Sequence, residues 1–164
     1  MSKTTPVGFG GREMWAFDAA LSLVLAEVVR SVEERPAGRR PSWWPAVERE
    51  LRVHAAVSDL YLDLDLGLGA DSREELARLL DEAAARLLDR RLFTVEEAAG
   101  WKVIDDLPVI FRGRGPVETA PIAELARALA DLIRGILPPS PPRTWWYYGE
   151  PGGRRTIPMQ ESES

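Results

Sequence analysis

Arg12-Glu-Met-Trp-Ala-Phe-Asp-Ala-Ala-Leu-Ser-Leu-Val-Leu-Ala-Glu-Val-Val-Arg-Ser-Val-Glu-Glu34 is the stretch on which the fold turns. Met14, Phe17, Leu21, Val24, Val28 and Val32 recur at the spacing of one helix face. Trp15, Leu23, Leu25 and Val29 widen that stripe until most of the circumference is apolar, which puts the helix in the middle of a bundle. Lys3 and Arg12 ahead of the apolar run give it the outline of a targeting segment. Asp18 and Glu27 interrupt the run and make a membrane span costly, and no small-x-small cleavage site comes after it. The reading is a buried helix of a cytoplasmic protein, closed by Pro36, Gly38 and Pro41.

Outward from this helix, Met1 to Gly11 is polar and glycine-rich and reads as a flexible lead-in. A second helix begins between Ser42 and Pro45 and carries Val53, Val57, Leu60 and Leu64 on one stripe, which predicts helix to about Leu62. From Leu60 to Leu68, however, leucines alternate with Tyr61, Asp63, Asp65 and Gly67 at the period of a strand, so 60–68 stays open between helix and strand. The third helix opens on Asp71 and Glu74, a capping-box-like pair, and presents Leu76, Leu79, Leu80, Ala83, Leu87 and Leu88. Thr94 and Glu97 cap a short helix ending at Gly100, and Asp106 to Arg112 reads as a strand. A fourth long helix starts at Pro121 and carries Ile122, Leu125, Leu129, Leu132, Ile133 and Ile136. Beyond the stiff Pro138–Pro142 connector, Thr144–Tyr148 and Arg154–Pro158 flank a glycine-rich turn and predict a hairpin.

The expected fold is therefore α+β, mainly α. About four amphipathic helices accompany a small antiparallel sheet made of the Val109 strand and the C-terminal hairpin. It is read as one domain over residues 12–159, followed by a disordered tail over 160–164.

Composition narrows function mainly by exclusion. The chain has 164 residues, 45% hydrophobic and 29% charged, the balance of a globular protein. With no cysteine, disulfides, thiolate nucleophiles and cysteine-ligated metals are ruled out. With one histidine, His54, a multi-histidine metal site is ruled out as well, and no cofactor or metal is expected. The net charge of −5 argues against nucleic-acid or anionic-membrane partners, which require a positive field. Lys3 and Lys102 are the only lysines, a bias similar to that of small proteins from high-GC actinobacteria, and that resemblance implies no particular activity.

Three motifs bear on chemistry. Asp63 to Glu74 places acids at positions 1, 3, 9 and 12 of a twelve-residue calcium loop. It holds Gly67 and Leu68 where such a loop needs a ligand and a glycine, so a helix connection is the preferred reading. Phe93-Thr-Val-Glu-Glu-Ala-Ala99 resembles the opening of the helix-turn-helix in excisionase and MerR-type domains, but only over seven residues. Beyond it, Gly100 to Pro108 reads as loop and strand rather than as a recognition helix. Asp105 and Asp106 are adjacent carboxylates with no identifiable substrate.

The aromatic segment Trp145-Trp146-Tyr147-Tyr148 is the leading candidate site. On a strand Trp145 and Tyr147 share one face and Trp146 and Tyr148 the other. Either both faces are covered, or one packs on the helices and the other presents aromatic side chains to a partner. The favoured function is a non-catalytic protein-interaction module: an adaptor, regulator or immunity-type inhibitor that binds a protein partner. The alternative is an enzyme or small-ligand-binding protein with an aromatic pocket using His54, Asp59 and Arg112.

Overall fold

The computed structural model describes residues 3–160. Within them the fold is α+β and mainly α, as the sequence predicts, with the C-terminal hairpin in place. The sheet is larger than expected and starts earlier in the chain. Strand β1 (Thr4–Phe9) and strand β2 (Arg12–Phe17) form an antiparallel hairpin about Gly10 and Gly11, whose φ values of 58° and 81° suit the tight turn between them. Thr4–Phe9 is thus a strand and not a flexible lead-in. Arg12–Phe17 is likewise not the first turns of a helix, although Met14 and Phe17 fit the helical stripe. Val7, Met14 and Ala16 face inward at period two and are fully buried. Met1, Ser2 and residues 161–164 of the expected tail lie outside the described residues.

Helix α1 (Asp18–Glu33) comes directly after β2, and only Arg30 and Glu33 along it escape full burial. Helix α2 (Trp44–Ala56) packs on α1 and ends at Val57, well short of Leu62. Leu62–Asp63 instead forms β3, parallel to β1, so the alternating reading holds at those two positions. Helix α3 (Ala70–Arg90) packs against α1 and α5. Its N-cap is Gly69, and the expected Asp71–Glu74 box does not form: Asp71 lies in the first turn and Glu74 pairs with Arg134.

Two-residue β4 (Leu92–Phe93) pairs with β7 (Val117–Glu118). Between them lie α4 (Val95–Gly100) and a small hairpin of β5 (Lys102–Ile104) and β6 (Leu107–Pro108). Thr94 caps α4 as expected, its hydroxyl accepting from the Glu97 amide at 3.2 Å. Helix α5 (Ala120–Arg134) ends on Gly135 in the left-handed conformation, so Ile136 lies beyond the helix and exposed instead of on its apolar stripe, and β8 (Thr144–Tyr148) and β9 (Arg155–Pro158) complete the hairpin.

The main sheet runs β3-β1-β2-β8-β9, with β2 and β8 parallel and both hairpins antiparallel. Helices α1 and α5 cover one face, with α2 and α3 stacked behind them. The Val109 segment is not part of this sheet. Val109 to Arg112 runs past α1 and is held there by polar side chains. The Ser22 hydroxyl accepts from the Ile110 amide at 2.9 Å and donates to the Ala55 carbonyl at the end of α2. One turn earlier, Asp18 grips the Arg112 guanidinium, with Nε donating to Oδ1 at 2.8 Å and Nη2 to Oδ2. Val109 donates its amide to the Trp101 carbonyl at 2.9 Å beside β5, whereas Ile110 and Arg112 find their partners on α1.

Ser22 is fully buried, so the Ser22→Ala chain has no acceptor for the Ile110 amide and no donor for Ala55. A loss of about 1–3 kcal/mol is expected. It should appear in urea melts as a lowered midpoint with an unchanged slope.

Candidate protein-interaction face

The register of the sheet determines which aromatic side chains share a face. Pro6 lies opposite Trp15, Trp15 beside Tyr147, and Tyr147 opposite Arg155, so these four form one row across the sheet. Trp145 and Ile157 form a second pair on the same side. Val7, Met14, Ala16 and Tyr148 point the other way, into the helices. The predicted division of the aromatic segment is therefore realised: Trp146 and Tyr148 face the helices, and Trp145 and Tyr147 face outward.

Exposure differs from what an aromatic docking strand would show. Tyr147 and Tyr148 are 2% and 4% exposed, so neither tyrosine is a free contact surface. Tyr148 belongs to the core. Tyr147 carries the Arg155 guanidinium 5.0 Å over its ring. Trp146 packs against the core, donates through Nε1 to the Pro138 carbonyl at 2.7 Å, and carries Arg154 4.5 Å over its ring. Of the four candidates, Trp145 alone is half-buried on the outward side.

The structure adds residues that the sequence reading placed in a helix or a flexible segment. Trp15, Pro6 and Ile157 are half-buried on the outward face. Tyr61, half exposed, lies across β1 with its hydroxyl over Gly8, where any side chain would collide with it. Glu13 and Asp63 stand near Tyr61 and, with partial burial as the main cause, hold its hydroxyl above the ordinary tyrosine range. The face is thus aromatic in the middle, acidic beside β1 and basic at Arg155. Its edges are blunt, because β3 has two residues and β9 carries Pro158.

Beside Trp145 the sheet ends in a hollow shared by Gly11, Glu13, Trp145 and the Leu137–Ser140 segment. Arg12 ties that segment to the β1–β2 turn by donating to the Leu137 carbonyl at 3.2 Å.

The alternative trio is only partly assembled. Asp59 lies beyond α2 in a left-handed conformation, close enough to Arg112 to help raise its pKa, behind the larger effect of Asp18. With its guanidinium gripped by Asp18, Arg112 borders an apolar hollow of about 150 Å³ among Phe17, Leu23, Phe111 and Ile122. Neither His54 nor Asp59 lines it. His54 sits in the last turn of α2 with Nδ1 buried and unpartnered, held by the Leu60 backbone.

The other motifs also have structural partners. Asp63 accepts from the Asp65 amide, and Asp65 pairs with Arg73 at 2.6 Å. Among the described residues no group of three acidic or histidine side chains is arranged to hold a metal ion. Helix α4 leads into β5 and not into a second helix. No helix among the described residues is long and apolar enough to cross a membrane. No family model, curated protein or solved structure matches the chain.

Two titrations report on these environments. Burial chiefly pushes the Tyr147 hydroxyl up to about 12, against the nearby Arg155. The folded state therefore favours the neutral phenol. Its contribution to stability is complete below pH 10 and is lost between pH 10 and about 12. Denaturant midpoints should fall across that window, and less steeply in Tyr147→Phe.

Burial lowers the pKa of His54 below 6.5, against the opposing effects of Glu50 and the Leu60 backbone. Its contribution is complete above pH 6.5 and declines as pH falls through the lower folded value. Because it is the single histidine, one imidazole resonance tracked by NMR against pH will show a midpoint below 6.5.

Proposed function

We propose that this chain is a protein-interaction module, of the adaptor, regulator or immunity-inhibitor kind, that seats a protein partner on the outward face of its main sheet. The observation that carries the reading is the half-buried apolar patch of Pro6, Trp15, Trp145 and Ile157 on one side of the sheet, bordered by Arg155. Aromatic side chains held by a sheet present large contact area at little cost in conformational entropy, and such residues dominate binding energy at protein interfaces. The blunt edges of β3 and β9 favour docking on the face over strand addition. The matching partner surface is apolar at its centre, with a basic residue placed to meet Glu13 and Asp63.

The test is capture from source lysate with tagged chain, followed by affinity measurement on the partner so obtained. Trp145→Ala and Ile157→Asp should each weaken binding by about tenfold or more, equivalent to about 1.4 kcal/mol, while leaving the thermal midpoint within a few degrees. A captured partner that binds both variants as tightly as the parent would refute this face as the interface.

A further inference from the structure

On the opposite side of the molecule, α1 reaches solvent at only two places, Arg30 and Glu33, and both line one hollow of about 180 Å³. Ala26, Val29, Trp101 and Val103 form its apolar walls, and Arg52 and Lys102 add positive charge. A water molecule takes about 30 Å³ of liquid volume, so the hollow has room for a compact ligand group.

The arginines nearby differ in how they are satisfied. Arg52 pairs with Glu33 and Glu48 and donates to the Val103 carbonyl; Arg86 holds Glu27 and Glu34; Arg90 pairs with Glu97. Arg30 is the exception. Among the described residues no carboxylate lies within 4.0 Å of it, and its Nε–H is buried without an acceptor. Its guanidinium is nonetheless held in place, with its central carbon 4.0 Å from the centroid of Trp101, a ring also faced by Arg90 at 5.0 Å. Trp101 is fixed in turn by an edge contact with Phe93 at 4.7 Å. A planar fork of donors, stacked on an anchored indole and lacking an acceptor, is preorganised for a planar oxyanion.

We propose that this hollow binds a single carboxylate group, with Arg30 as its bidentate partner and Lys102 as a supporting charge. Glu33 on the same wall opposes a doubly charged phosphate more than a monoanion, and the apolar lining suits the carbon skeleton that carries a carboxylate. The carboxylate can belong to a small organic acid or to a glutamate side chain on a peptide. The site is separate from the sheet face and does not depend on the interaction proposed there.

The test monitors the Arg30 Nε–Hε resonance in full-length protein, titrated at constant ionic strength with sodium benzoate, with a short apolar peptide carrying one glutamate, and with inorganic phosphate, against sodium chloride. The expected result is a saturable Arg30 shift with one or both carboxylates, absent with chloride. The tighter of the two identifies the source. Arg30→Lys keeps the charge but loses the fork, and it should weaken binding tenfold or more, read from Lys102 and Trp101 amide shifts. An Arg30 resonance unmoved by either carboxylate, or moved by phosphate alone, overturns the proposal. So does an Arg30→Lys chain that binds carboxylate as tightly as the parent, whatever its stability.

Discussion

Asp18, Ser22 and Glu27 sit on a helix that is apolar on nearly every side, and each is at most 2% exposed. A buried polar group left without a partner costs more than a hydrogen bond gains, so each of these residues demands a specific neighbour. Asp18 obtains Arg112, Ser22 obtains the Ile110 amide and the Ala55 carbonyl, and Glu27 obtains Arg86 of α3. Three separate parts of the chain are thereby positioned around α1 by chemistry that apolar packing alone would leave degenerate. The outward sheet face is set indirectly, since β2 enters α1 at Asp18 without a connecting loop.

The same helix explains how the two candidate surfaces come to be distinct. Its start is clamped beneath the sheet, where Phe17 and Ala20 meet Gly149 at the β8–β9 turn; a Cβ on Gly149 would lie 2.6 Å from that of Ala20. Its far end emerges between α2 and the Trp101 segment, where Arg30 and Glu33 reach the hollow. The aromatic surface and the cationic hollow thus lie at opposite ends of one rigid element.

The helical elements are legible in the sequence from apolar spacing in α3 and α5, and from the punctuation of Thr94 ahead of α4 and Pro121 in the first turn of α5. The reading fails where a strand's inward residues also fit a helical stripe. Met14 and Phe17 extend the α1 pattern backwards, yet Gly10-Gly11 between two six-residue runs is a hairpin signal of equal weight, and the ladder outweighs the stripe. The Val109 segment departs from its expected sheet for a different reason: β-branched residues report an extended backbone, not the identity of what satisfies it. The site is half legible. Alternation separates Trp145 and Tyr147 from Trp146 and Tyr148, but Trp15 and Pro6 join them only through the parallel pairing of β2 with β8, which no local pattern encodes. Burial of both tyrosines is equally invisible, because it depends on elements far from them in the sequence.

That parallel pairing has a temporal side. Arg12 and Leu137, 125 positions apart, are joined by a hydrogen bond, and β2 acquires its second neighbour only from β8. The β1–β2 hairpin is translated before β8, and the edge of β2 that β8 fills stays unpaired until β8 arrives. Contacts of such long sequence separation form late and slowly. The aromatic face is therefore completed only after α1–α5, all of which precede β8 in the chain, have been translated.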